Sequence, residues 1–247
     1  MNIGNKFSQV SRAVASLAIL LSSIQTAGAT GINIIDSTYG TGAGSFELGS
    51  FVADQNHPDF VSLGIGSTAI AGWTVGGGPV DVAWLNGSNP VASIYAVDTG
   101  TKAVNLPSGS TIATTIPTVV GNVYQLSFAA AGPPSYFYPS WGDVGKGVVS
   151  AGTLVGQEFT GPYSNAPYYT QWQTFLPFQF LFTALGPSTT IQFTGENPDQ
   201  GTNPYNYSYG PIIDSVSVNL ASPIPAAIWM VGSALVGLVG FVLREPT

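Results

Sequence analysis

The chain contains no cysteine and very little charge. Of its 247 residues only 7% are charged, and the 5 basic residues stand against 12 acidic ones for a net charge of −7. The absence of cysteine excludes disulfides, thiolate metal sites, cysteine nucleophiles and a bacterial lipoprotein anchor. Scattered basic residues argue against a nucleic-acid partner, because binding phosphates requires clustered Lys and Arg.

Histidine is equally scarce, since His57 is the only one. It lies in a polar stretch at 54–59, and no nucleophile-elbow motif accompanies it, so a Ser-His-Asp site has no support. Paired carboxylates, as in glycoside hydrolases, are a minor alternative to a non-catalytic protein. Oxygen-rich loops carrying Asp54, Asp59 and Asp199 are either solvated turns or ligands of a structural calcium ion. No other cofactor is expected.

Glycine, proline and aromatic residues are abundant instead. The 31 glycines, 18 prolines and 12% aromatics suit short strands joined by turns, with enough apolar surface for a packed core. Period-2 alternation predicts strands with one apolar face at 124–128, 178–182, 191–193 and 216–220. No segment of the domain has a convincing helical period. The sequence predicts one all-β domain over 30–221, an antiparallel β-sandwich of jelly-roll type.

Three residues of this domain carry specific expectations. Trp73 and Trp84 lie in alternating stretches and should belong to the core. Asp214 shares strand parity with Ile212 and Val216, so we expect it to be partly buried at a strand start. A buried carboxylate needs hydrogen-bond donors, and we expect Asp214 to accept backbone N–H groups of a neighbouring loop.

Aromatic residues crowd three Pro-rich or turn-rich stretches. Their rings either cover the ends of the sandwich as additional core or stack on sugar faces while their polar tips stay in water. The candidate ligand-binding residues in these stretches are Tyr136, Tyr138, Trp141, Tyr169, Trp172, Tyr205 and Tyr207.

The first 29 residues have the three parts of a secretory signal peptide. Lys6 and Arg12 form a positive region, residues 13–24 are apolar, and Ala27 and Ala29 form an A-x-A cleavage motif. We therefore expect export and a mature chain that starts at Thr30. An amphipathic helix of the mature fold is the alternative.

The last 26 residues contain a stretch long enough to cross a membrane. Residues 226–243 carry no charge, and as a helix they would span ~27 Å, close to the thickness of a bilayer core. Arg244 follows on the side that the positive-inside rule places in the cytoplasm. We expect a transmembrane helix at 226–243, with a buried core helix as the alternative.

A short proline motif precedes this stretch. Pro223, Ile224, Pro225 and Ala226, followed by the apolar segment and Arg244, resemble the bacterial PEP-CTERM sorting signals, in particular their VPLPA-type variant. Ser222 stands where that variant has valine, and Arg244 is a single arginine where a cluster is usual. The resemblance implies an exosortase-type enzyme as partner, with cleavage of the tail or an uncut membrane anchor as the two outcomes.

Four blocks of the domain resemble the choice-of-anchor C family. They are the GSFE at 44–47, the GSTAIAGWTV at 66–75 followed by Val80-Asp81, the GNVYQLSF at 121–128 and the GPIIDSVSV at 210–218. The resemblance implies a galactose-binding-like sandwich, a surface anchor and a carbohydrate contact. The chain differs from the family at Asn105 and at Gly132-Pro133-Pro134.

Together these features predict an exported cell-surface or extracellular-matrix protein. It is expected to be non-catalytic, to bind extracellular polysaccharide through its sandwich, and to be held at the membrane, at least transiently, by its C-terminal helix. A structural envelope protein that binds other proteins and has no sugar affinity is the alternative.

Overall fold

The computed structural model describes residues 31–53, 58–87, 96–132, 145–162, 174–196 and 210–221. The chain divides into two compact units, Met1–Gly31 and Ile32–Thr247, and the fold belongs to the second. The predicted signal peptide at 1–29 and the predicted sorting tail at 222–247 lie outside the described residues. Within those residues, no helix is long and apolar enough to cross a membrane.

The described part of the chain contains eleven strands. In chain order they are Phe60–Leu63 (β1), Thr74–Val75 (β2), Val82–Asn86 (β3), Lys102–Asn105 (β4), Thr111–Pro117 (β5), Val123–Ala131 (β6), Gly145–Ala151 (β7), Leu154–Gly161 (β8), Leu176–Thr183 (β9), Ser188–Gly195 (β10) and Ile212–Leu220 (β11). They form a six-stranded sheet in the order β1-β3-β4-β11-β6-β9 and a five-stranded sheet in the order β2-β5-β10-β7-β8. Every pairing within the two sheets is antiparallel. The prediction of an antiparallel β-sandwich is confirmed.

The two sheets share one apolar core. Trp73 and Trp84 are buried in it, as the alternation predicts, and Phe46 packs against Trp73 with ring centroids 4.9 Å apart. Both indoles keep a hydrogen-bond partner, because Trp73 Nε1 donates to the carbonyl of Ala43 at 2.9 Å and Trp84 Nε1 donates to the carbonyl of Phe46 at 3.0 Å. Both buried indole N–H groups therefore have a hydrogen-bond acceptor.

The predicted strands are found, with one correction. The stretches at 124–128, 178–182 and 191–193 lie in β6, β9 and β10, and their alternate residues point into the core. In β11, Val216 and Val218 are buried, but Leu220 is exposed because the strand ends there. The expectation of an apolar face running through Leu220 is wrong.

One short helix was not expected. Helix α1 spans Ile34–Tyr39, and its six residues are too few to show a helical period in the sequence. Asn33 caps it, since its side-chain oxygen accepts the N–H of Ile35. The same side chain binds β11, donating to the carbonyl of Val216 at 3.2 Å and accepting the N–H of Val218 at 3.0 Å. The pairing of β4 with β11 ends at Ile213, and beyond that point the side chain of Asn33 supplies hydrogen bonds to the backbone of β11 that a neighbouring strand would otherwise make.

Candidate functional site

Three long loops leave the sandwich at the same end. The loop at 132–144 joins β6 to β7, the loop at 162–175 joins β8 to β9, and the loop at 196–211 joins β10 to β11. The roots of these loops are the residues at which the loops leave the strands. They lie together because four pairs of strand residues are neighbours in the sheets: Ala131 with Ile212, Ala130 with Leu176, Gly145 with Gly161, and Gly147 with Gly195. We call this end of the sandwich the loop end.

Backbone hydrogen bonds fix the loop roots to one another. The N–H of Gly132 donates to the carbonyl of Pro162 at 2.9 Å, which joins the first loop to the second. The N–H of Glu196 donates to the carbonyl of Lys146 at 2.8 Å, which joins the third loop to the strand that follows the first. Backbone groups paired in this way hold the starting points of the loops at fixed separations.

A buried asparagine ties the third loop to the six-stranded sheet. Asn105, the last residue of β4, is buried, and its side-chain amide donates to the carbonyl of Gly210 at 2.8 Å. Beside it, the N–H of Leu106 donates to the carbonyl of Pro211 at 3.0 Å. This contact gives a structural role to a position where the chain differs from the choice-of-anchor C pattern.

Glycines allow the roots to approach this closely. A Cβ added at any of five root glycines would lie within 3.0 Å of a backbone atom of a neighbouring segment: Gly132, Gly145, Gly161, Gly195 and Gly210. The tightest case is Gly210, whose Cβ would stand 1.6 Å from the carbonyl oxygen of Leu106. Glycine is needed here for space, because the backbones pass too near each other for any side chain.

Four phenylalanines pack directly below the loop roots. Phe128 contacts Phe159, Phe178 and Phe193, with ring centroids 4.9, 5.4 and 5.0 Å apart. The four rings come from strands of both sheets, so they join the sheets beneath the loops. Edge-to-face and offset contacts of this kind add to the energy of burying each ring and so stabilise the packing beneath the loop roots.

The loops themselves differ from the core in their aromatic residues. The three loops hold eight of the 11 tyrosines but only two of the 13 phenylalanines, Phe137 and Phe175. The predicted ligand-binding residues all belong to them, and all lie outside the described residues: Tyr136, Tyr138, Trp141, Tyr169, Trp172, Tyr205 and Tyr207. What the structure establishes is that the three segments carrying them start and finish at one end of the sandwich.

Of the three expected calcium ligands, only Asp59 lies within the described residues. Asp59 lies just before β1, half-buried, while Asp54 and Asp199 are outside the described part of the chain. Where the structure describes the chain, no group of three or more His, Asp or Glu side chains is arranged to hold a metal ion.

Asp214 holds a segment of the loop between β3 and β4. Its side chain is completely buried, and its Oδ2 accepts the N–H groups of Asp98 at 2.8 Å and Thr99 at 2.9 Å. Its Oδ1 accepts the N–H of Ser215 at 2.6 Å, where a bulge interrupts β11 and Ser215 adopts a φ of 55°. The expected role of Asp214 is therefore confirmed, with burial more complete than expected.

Glu47 holds the same segment from its other end. Its Oε1 accepts the N–H groups of Thr101 and Lys102, each at 2.7 Å, and its Oε2 accepts the hydroxyl of Thr101 at 2.8 Å. Two carboxylates thus fix residues 98–102 through their backbone.

Burial has a marked effect on the protonation of Asp214. Removal from water raises the pKa of its carboxyl group from 3.8 to about 7. Hydrogen bonds from the backbone of Thr99, Ser215 and Asp98 act in the opposite direction, and the nearby charge of Asp98 raises the pKa further. The carboxyl group therefore exchanges its proton near neutral pH.

Several of these residues were not found from the sequence. The contacts of Glu47 and Asn105 do not follow from the sequence around them, because their partners are 54 and 105 positions away. The root glycines are scattered among 31 in the chain, and only strand register shows which of them meet. The one available indication was the position of Glu47 in the block at 44–47.

A family model described as a protein of unknown function (DUF642) matches residues 42–219, most of the chain. The chain belongs to the DUF642 family. The matched region of this DUF642 protein contains the three aromatic loops and lies within the predicted domain at 30–221. A comparison with curated proteins finds no match.

Solved structures similar to this DUF642 protein include carbohydrate-binding modules. A family 35 module from Clostridium thermocellum is 17% identical, with 52% of this chain and 85% of the module covered and a TM-score of 0.36. The CBM22-1 xylan-binding domain of Paenibacillus barcinonensis Xyn10C is 12% identical, with 71% and 97% covered and a TM-score of 0.36. TmCBM61, solved with β-1,4-galactotriose, is 13% identical, with 76% and 99% covered and a TM-score of 0.36. At these scores the likeness carries no argument about ligands.

Proposed function

We propose that this DUF642 protein is an exported cell-surface or extracellular-matrix protein that binds polysaccharide at its loop end and is not an enzyme. The observation that carries the proposal is the convergence of three aromatic-rich loops on roots fixed by hydrogen bonds and close glycine contacts. The binding side chains are proposed to be Tyr136, Tyr138, Trp141, Tyr169, Trp172, Tyr205 and Tyr207.

The chemistry of these side chains suits a sugar ligand. A ring face stacks on the C–H face of a sugar, and the tyrosine hydroxyl or indole N–H remains free to bond a sugar hydroxyl. Phenylalanine lacks that polar group, and in this chain it is concentrated in the core. Roots held at fixed positions reduce the ordering that binding would otherwise require, which favours affinity.

Retention on native polysaccharide tests this proposal. The triple variant Trp141→Ala, Trp172→Ala, Tyr207→Ala should be released from the extracellular polysaccharide of its host, whereas the unchanged chain should be retained. Retention of the triple variant would contradict the aromatic contact. A glycan array without any binding, together with capture of surface proteins, would favour the structural envelope protein instead.

The same proposal includes both ends of the chain. The charged, apolar and A-x-A parts of 1–29 support export with cleavage after Ala29, and the motif from Pro223 to Ala226 followed by Arg244 supports processing by an exosortase at the membrane. The four blocks that resemble the choice-of-anchor C family support a galactose-binding-like jelly roll joined to such an anchor. Intact-mass analysis of the mature protein tests the tail: a C-terminus near Pro225 means cleavage, and one at Thr247 means an uncut anchor.

A further inference from the structure

The end of the sandwich opposite the loop end exposes a group of apolar side chains. It is built from the β5–β6 turn at 118–122, the β9–β10 turn at 184–187 and the last residues of β11. Hydrogen bonds hold these parts together, from the N–H of Gly121 to the carbonyl of Ala184 and from the N–H of Ala221 to the carbonyl of Val123, each 2.9 Å. We call this the apolar end, defined by Val119, Val120, Val123, Leu185 and Leu220.

The apolar residues occupy positions that turns normally give to polar ones. Val119, Val120 and Leu185 are 60%, 62% and 69% exposed, and Leu220 is 50% exposed. Single exposed apolar residues are ordinary, but several at the tips of adjoining turns form a patch of the kind that marks an interaction surface. Turn positions usually carry Gly, Pro, Asn or Asp.

The described segments that form the apolar end carry no charged side chain. In a chain with 12 acidic residues, none of the described segments 118–123, 152–157, 184–188 and 219–221 contains an acidic or basic residue. The turn at 152–153 belongs to this end, because the N–H of Thr153 donates to the carbonyl of Thr183 at 3.1 Å. An uncharged surface can approach a low-dielectric phase without the large cost of desolvating a charge.

The chain leaves the sandwich at the apolar end. The last described residue, Ala221, is followed by only four residues before the uncharged segment at 226–243 begins. Four extended residues reach at most ~14 Å, and two of these, Pro223 and Pro225, stiffen the link. A membrane-inserted segment at 226–243 would therefore hold the apolar end within that distance of the bilayer.

We propose that the apolar end rests on the lipid bilayer that the C-terminal segment enters, with Val119, Val120 and Leu185 in the interfacial layer. The inference rests on the membrane-inserted tail of the proposed function. The four described segments, which carry no acidic residue, also avoid the repulsion by anionic headgroups that the net charge of −7 would otherwise cause. The nine residues of β6 run from this end to the loop end, ~30 Å away, so the roots of the aromatic loops would lie at the end of the sandwich opposite the membrane.

Site-specific labelling of the full-length chain tests the placement, and the absence of cysteine makes it simple. Val120→Cys and Leu185→Cys are labelled with an environment-sensitive fluorophore, and the matched control is Thr160→Cys, an exposed position at the loop end. Each labelled chain is measured in lipid vesicles of mixed neutral and anionic composition, with and without lipid-bound spin labels. We expect a blue shift in vesicles at 120 and 185, with quenching by lipid-bound spin labels, and neither effect at 160.

Flotation of the same vesicles distinguishes the proposal of a membrane-inserted tail from the proposal that the apolar end rests on the bilayer. If the chain floats with the vesicles but the labels at 120 and 185 stay as water-exposed as the label at 160, this inference is overturned and the membrane tail stands. If the chain does not float, the membrane tail is overturned and this inference with it. A blue shift at 120 and 185 without quenching by the lipid-bound spin labels shows that a second copy or the tail itself covers the apolar end, and it also overturns the proposal.

Discussion

The side-chain amide of Asn105 lies 2.8 Å from the carbonyl oxygen of Gly210 and donates a hydrogen bond to it. The pair joins the end of β4 to the root of the loop at 196–211, across 105 residues of sequence. Because Asn105 is buried, water cannot replace the bond if it is lost. The geometry of the loop end thus depends on polar contacts within the sandwich as well as on the loops themselves.

Replacement of Asn105 by aspartate should destabilise the protein. In Asn105→Asp a carboxylate would face the carbonyl of Gly210, so the donor is lost and a buried charge is added, at a cost of about 2–4 kcal/mol at neutral pH. The loss of stability should be smaller at low pH, because a protonated carboxyl group can again donate a hydrogen bond to the carbonyl of Gly210. Urea unfolding at several pH values measures this, with the exposed Asn122→Asp as control, expected to change the free energy of unfolding by less than about 0.5 kcal/mol. Equal effects of the two changes would contradict the role of Asn105.

Replacement of Gly210 by alanine tests the close contact of the loop roots. Its Cβ would stand 1.6 Å from the carbonyl oxygen of Leu106, so the backbones must move apart. We expect a loss of about 3 kcal/mol in the free energy of unfolding, at the upper end of what overpacking costs. Gly77→Ala is the matched control, since a Cβ there meets no atom within 4 Å, and it should unfold like the unchanged chain. A Gly210→Ala protein with unchanged stability would show that the roots are not tightly packed.

The buried carboxyl group of Asp214 should make stability depend on pH. Its pKa is 3.8 in the unfolded chain and about 7 in the folded protein, so the folded state holds a proton that the unfolded state releases between these values. The contribution of this group to the free energy of unfolding is fully present below pH 4. It falls by roughly 1.4 kcal/mol per pH unit as the pH rises to about 7.

Urea unfolding between pH 4 and 8 measures this contribution as a difference between variants. Asp214→Asn cannot titrate, so the slope that the group imposes should disappear from that variant. Asp81→Asn, at an exposed position, should keep the slope of the unchanged chain. If Asp214→Asn and the unchanged chain show the same slope, the carboxyl group is not protonated in the folded state near pH 6.

Much of the sandwich could be predicted from local patterns, because period-2 alternation follows from one face of a strand being buried. It succeeded for β6, β9 and β10, where Tyr124, Phe182 and Ile191 point inward. It failed at Leu220, because a strand end lacks the neighbours that would cover an inward-facing side chain. The six-residue helix α1 was missed for a different reason, since six residues are too few to show a helical period.

The site was less predictable than the fold. Composition identified the aromatic stretches, but their meeting at one end depends on strand order and register, which no local pattern contains. The same holds for the carboxylates: strand parity predicted that Asp214 would be partly buried, whereas Glu47 could be connected with Thr101 only through the fold. Long-range backbone contacts decide which of many similar residues come together.

The central claim is that the aromatic loops bind polysaccharide, and titration calorimetry with a glycan identified on an array tests it most directly. The triple variant Trp141→Ala, Trp172→Ala, Tyr207→Ala should bind at least about tenfold more weakly, a loss of about 1.4 kcal/mol or more, with an unchanged melting temperature. The matched control Val120→Ala, Leu185→Ala removes exposed apolar groups at the opposite end and should keep full affinity. Full affinity of the triple variant would contradict the account.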